Sequence, residues 1–218
     1  MEREENKLFK FATKELSQDA FISWCINWFN YQEEVKGNKN KEKLCEMSKK
    51  ILDKILSSKK ITSEEIKDVA IIRQFENIDI LLVVTLKYHL EQYLVIIEDK
   101  VGASLSEHQR KDMYVGKLIK TLENSTEKQD LISLTNFDKD KIIPVFWKTN
   151  KWSEEKEKLK EELEKEIKKE VVCINGNDTL EMLKDYTDYS EIVEDFYVCL
   201  KDYLRFNNEL PEDKYCVN

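Results

Sequence analysis

NIDILLVVTLKYHLEQYLVIIEDKVGASLSEHQRKDMY, from Asn77 to Tyr114, decides the fold. It holds two apolar runs, Ile78–Thr85 and Tyr93–Ile97, rich in Val, Ile and Leu and of a length that suits buried strands rather than helices. Asp79 opens the first run and Glu98-Asp99-Lys100 closes the second. Carboxylates at the ends of greasy strands are costly unless they are paired or hold a metal. Residues two apart in a strand share a face, so Glu98 and Lys100 point one way and Asp99 the other. If the two strands are neighbours, Asp79, Glu98 and Lys100 converge on one site.

Working outward, Leu86–Gln92 reads as the hairpin link, with a tip less typical than Asn-Gly and a register left open. Gly102, just past the lysine, would let the backbone leave the sheet and a phosphate or metal approach closely. Ser104–Asn124 then reads as a helix, with Ser104/Glu107 and Ser106/Gln109 both matching a capping box.

A strand Asp, a Glu-x-Lys on the next strand and a following helix resemble the PD-(D/E)XK nuclease superfamily, over roughly Lys14 to Lys148. Ile78 stands where the nominal motif has Pro, a departure that the superfamily tolerates. The stretch Glu15-Leu-Ser-Gln-Asp-Ala-Phe looks like the opening of one bacterial branch. The resemblance implies an α/β fold with a restriction-endonuclease-like core, a central mixed sheet of four to five strands flanked by helices. It implies Asp79, Glu98, Lys100, Glu15 and Gln109 as catalytic residues. Asp79, Glu98, the backbone carbonyl of Asp99 and Glu15 would hold Mg²⁺ (or Mn²⁺). DNA would lie along Arg110, Lys117 and Tyr114. Tyr114 follows Gln109 by five residues, which departs from the superfamily's one-turn spacing. Each assignment has a plainer counterpart: Glu15 favouring a helix N-terminus, Gln109 capping with Ser106, the basic side chains solvating a surface. His108 near a helix start reads the same way.

The composition is compatible with this. At 218 residues, one domain over 1–218 is expected, its core at about 14–148 and a helical part at 151–207. Only four Gly and two Pro favour helix-rich α/β over a turn-rich sandwich. A net charge of −8 argues against a nonspecific nucleic-acid coat but leaves room for a small site with basic walls. The five Cys are scattered, form no CxxC pair and read as reduced core thiols; with His89 and His108 alone, a zinc site is not expected. No signal peptide or membrane-spanning run is read, which points to the cytoplasm.

Elsewhere, an amphipathic helix carries Ala20, Phe21, Trp24, Cys25, Trp28 and Phe29. A loop at Val35–Lys43 precedes a helix at Leu44–Leu56, and Thr62/Glu65 forms a capping box. Val69–Phe75 reads as a first strand and Ile142–Lys148 as a fourth, where Pro144 hints at an edge or bulge. Ser153–Glu170 is a solvated Glu/Lys helix, Val171–Ile174 a last strand, Asn175-Gly176 a turn. Asp178/Glu181 caps a helix to about Tyr186, and Tyr189–Asn207 ends the order. The function expected is metal-dependent hydrolysis of DNA, in bacterial defence or DNA processing, with a homodimer mate or partner subunit as an open option. The alternatives are a catalytically silent nuclease fold used as an interaction module, or RNA cleavage.

Overall fold

The structure, a computed structural model, describes residues 15–75, 78–100, 139–149, 160–161, 164–165 and 169–209. Five strands form one sheet: β1 (Ile66–Phe75), β2 (Ile78–Leu86), β3 (Gln92–Lys100), β4 (Ile142–Lys148) and β5 (Val172–Asn175), lying side by side in that order. Neighbours β1/β2 and β2/β3 are antiparallel, while β3/β4 and β4/β5 are parallel. Among the described residues, four α-helices accompany them: α1 (Glu15–Asn27), α2 (Lys39–Ile55), α3 (Gly176–Leu183) and α4 (Glu191–Glu209). The fold is α/β, a mixed five-stranded sheet with helices packed on it.

Strand alternation sorts the apolar side chains into two faces. Ile80, Leu82 and Val84 of β2, Val95 and Ile97 of β3, and Ile143, Val145 and Trp147 of β4 point into the core shared with all four helices. Leu81, Val83, Leu94, Ile96 and Phe146 occupy the opposite face and are buried as well. Burial on both faces explains why β2 and β3 read as unbroken apolar runs rather than alternating ones. Each such side chain withdrawn from water contributes roughly 1.5–3 kcal/mol. In α1, Phe21 and Cys25 are buried as the helical spacing predicts, as is Phe29 in the 3-10 turn Trp28–Tyr31 that follows, while Ala20, Trp24 and Trp28 are only partly covered. Phe21 stacks on Phe196 of α4, the ring centroids 3.9 Å apart.

The hairpin register is fixed, with Ile80 facing Ile97 and Thr85 facing Gln92. Its tip uses no glycine: His89 and Leu90 adopt φ of 59° and 52°, and the amide of Leu86 donates to the carbonyl of Glu91 at 2.7 Å. The Thr62/Glu65 capping box is present, its carboxylate accepting from the Thr62 amide at 2.8 Å. Cys25, Cys45 and Cys173 are buried thiols and Cys199 is a half-buried one, none of them in a disulfide.

Several boundaries differ from expectation. α2 begins at Lys39, five residues before the predicted start, because the Asn38 side chain caps it by accepting from the Lys41 amide. β1 begins at Ile66 rather than Val69; a register shift between Ile66 and Asp68 breaks the alternation there. Pro144 is not on an edge strand, since β4 lies between β3 and β5. It is tolerated because β5 pairs with β4 only from Val145 onward, so no β5 ladder bond falls at the proline. Asn175 is the cap of α3, not a turn residue: its side chain accepts from the Asp178 amide at 2.7 Å and the Asp178 carboxylate accepts from the Asn175 amide at 3.0 Å. Tyr189 ends a 3-10 segment and α4 starts at Glu191. The predicted helix Ser104–Asn124 and two thirds of the Glu/Lys stretch Ser153–Glu170 lie outside the described residues.

Candidate functional site at the end of the central hairpin

β2 starts where β3 ends, so the hairpin carries Asp79 to the Glu98–Lys100 end of β3. From Ile80 facing Ile97, one further step sets Asp79 beside Glu98. Both alternate away from Ile80 and Ile97 and so belong to the face opposite the helix-packed core. Asp79 is half-buried and Glu98 is 8% exposed. The Asp79 carboxylate is anchored: its Oδ2 accepts from the backbone amide of Asp99 at 2.9 Å.

Asp99 points the other way, toward α1, as strand alternation predicts. Its side chain is 0% exposed. Oδ1 accepts a hydrogen bond from Nε2 of Gln18, and Oε1 of Gln18 accepts from the Thr149 hydroxyl at 2.7 Å. Thr149 immediately follows β4. Oδ2 of Asp99 finds no donor among the described residues. Its neighbour is the carboxyl of Asp19, itself 2% exposed. Burial first, then the Asp19 carboxyl and the charge of Asp79, push the Asp99 carboxyl well above the usual range, against the pull of the Gln18 hydrogen bond. Two carboxyls in contact out of water are favourable only with a proton between them.

Lys100 is the last residue of β3 and pairs in register with Lys148 of β4; its side chain lies outside the described residues. Glu15 opens α1, and its side chain too lies outside them. The start of α1 does reach the Asp99 side chain, through Gln18 and Asp19. Gln109, Arg110, Tyr114, Lys117, His108 and Gly102 all fall outside the described residues. Thus Asp79, Glu98 and Asp99 are brought together. The sequence reading gave no role to Gln18, Asp19, Thr149 or Lys148. One signal for the first two was available: Gln18 and Asp19 sit one turn before Phe21 and Ile22, polar residues on a buried stripe.

The donor set suits a hard divalent cation. Mg²⁺ takes oxygen ligands and usually only one or two protein carboxylates, and Asp79 and Glu98 offer two on one face, with the Asp99 carbonyl between Glu98 and Lys100. Among the described residues no group of three or more His, Cys, Asp and Glu side chains gathers as a metal cage; a site of two carboxylates and a carbonyl needs none. No described helix is long and apolar enough to cross a membrane.

No family model matches the chain, and no curated protein does. Among solved structures, the chain is similar to the MspJI restriction endonuclease in complex with a 27-mer oligonucleotide, at 10% identity and a TM-score of 0.34. The likeness covers 86% of this chain but 36% of that one, so this chain spans about a third of its length.

Proposed function

We propose that this chain is a metal-dependent nuclease that hydrolyses DNA phosphodiester bonds, in bacterial defence or DNA processing. The observation that carries the reading is the anchored Asp79 carboxylate at the Glu98–Lys100 end of β3, held by the Asp99 amide at 2.9 Å. Asp79 and Glu98, with the Asp99 carbonyl, would hold Mg²⁺ or Mn²⁺, and Glu15 would join them from α1. When bound, such a cation lowers the pKa of coordinated water and offsets phosphate charge. The chain supplies the rest. The amide bond keeps the Asp79 carboxylate from swinging, and burial of Glu98 limits its rotamers, so both oxygens are preorganised. Lys100 would contact the scissile phosphate or orient the attacking water. Gln109 would steady the site, and Arg110, Lys117 and Tyr114 would line the DNA path, the two bases neutralising phosphates.

The test is cleavage of linear duplex, supercoiled and single-stranded DNA, and of RNA, with Mg²⁺, Mn²⁺ or EDTA. Metal-dependent cutting abolished in Asp79→Ala, Glu98→Ala and Lys100→Ala is the expected result. Full activity in all three variants would sink the proposal. A second reading, a silent nuclease fold that serves as an interaction module, is favoured by the exposed Ile192, Tyr203 and Phe206 along α4. It predicts neither cutting nor metal binding by calorimetry.

A further inference from the structure

Gln18 is a polar side chain one turn before the core residues Phe21 and Ile22 of α1, and it is 6% exposed. Both ends of its amide are used. Nε2 donates to Asp99 at the end of β3, and Oε1 accepts from Thr149 just past β4. Asp99 in turn donates its backbone amide to Asp79. These bonds run without a break from Thr149 through Gln18 and Asp99 to the Asp79 carboxylate. They cross the sheet at Asp99, whose side chain faces α1 while its amide faces Asp79.

We propose that Gln18 is a positioning residue for the nuclease site: by bridging Thr149 and Asp99 it fixes the end of β3 and, through the Asp99 amide, the orientation of the Asp79 carboxylate. The inference rests on the nuclease reading above. It explains why this position holds an amide. Glutamate reaches as far but has no hydrogen to donate to Asp99, and leucine fills the space but neither donates nor accepts. A Gln18 that merely satisfied the core would affect stability alone. A Gln18 that positions Asp79 also affects how tightly the site takes a cation.

The experiment uses the full chain and three readouts: Mn²⁺ affinity by calorimetry, hydrogen exchange of the Asp99 amide without metal, and the unfolding midpoint. Gln18→Leu and Gln18→Glu each lose about 10–100-fold in Mn²⁺ affinity, the usual effect of removing a partner that orients a metal ligand. Exchange at the Asp99 amide quickens in both. Should Gln18→Leu not fold, Thr149→Val removes only the far hydroxyl and loses about 3–10-fold. Wild-type affinity in folded Gln18→Leu (or in Thr149→Val where Gln18→Leu does not fold) would overturn the inference while the nuclease reading stands. A wild-type chain that binds no Mn²⁺ would remove that reading and this inference together.

Discussion

Replacing Asp99 by Asn should make the protein more stable at neutral pH, and the gain should grow as pH rises. Asp99 is fully buried, and its Oδ2 meets the Asp19 carboxyl rather than a donor. Burial and that neighbour raise its pKa in the folded chain. Below the unfolded aspartate value of about 3.9 both states hold the proton and the group is neutral in its effect. Above it the unfolded chain releases the proton while the folded chain retains it, so stability falls with pH until the raised folded value is passed. Asparagine mimics the neutral acid at every pH. Its Oδ1 still accepts from Gln18, and its Nδ2 supplies the donor that faces Asp19. The gain expected is the cost of keeping that proton, about 1.4 kcal/mol for each pH unit between about 3.9 and the raised folded value. For a chain of this size it corresponds to roughly 2–4 °C in Tm per kcal/mol. Urea unfolding followed by tryptophan fluorescence, in EDTA between about pH 5 and 8, reports it; Trp147 in the core is the natural probe. Parallel pH profiles for the two proteins, or an Asn variant less stable at pH 8, would refute the assignment of a retained proton at Asp99.

Two further outcomes concern packing and backbone strain. A Cβ at Gly176 would lie 2.4 Å from the Thr149 carbonyl and 2.9 Å from a Leu204 methyl, so Gly176→Ala should destabilise by at least about 1–3 kcal/mol in urea unfolding; wild-type stability would mean that α3 shifts freely, against its packing on β4. The left-handed φ at Leu90 costs a non-glycine residue about 1–2 kcal/mol, and part of that should return in Leu90→Gly as a Tm rise, whereas a fall would show that the exposed leucine makes a contact of its own.

The central hairpin was legible because β2 and β3 are buried on both faces, and burial of that kind writes a continuous run of Val, Ile and Leu into the sequence. The juxtaposition of Asp79 with Glu98 followed from strand geometry alone, as did the opposite facing of Asp99. The start of α2 was not legible, since Lys39–Lys43 carries no apolar spacing and its signal is a single Asn cap. The edge position suggested by Pro144 failed for a physical reason: what a proline forbids is a ladder bond at one residue, and β5 begins one residue later. Gln18 and Thr149 were silent because a glutamine or threonine takes its meaning from its partner, and these partners lie 131 residues apart.

That separation bears on how the site is assembled in time. The Asp79–Asp99 bond spans 20 residues and belongs to a hairpin, a local element that closes early. The Gln18–Asp99 bond spans 81 and the Thr149–Gln18 bond 131, each requiring a larger loop to close at greater entropic cost. On the ribosome the first exists before the last can form, since Thr149 is synthesised some fifty residues after Asp99. The carboxylate pair is thus made cheaply and early, and it is braced only once the fourth strand has joined the sheet, so the growing chain carries its acidic residues together before it holds them rigid.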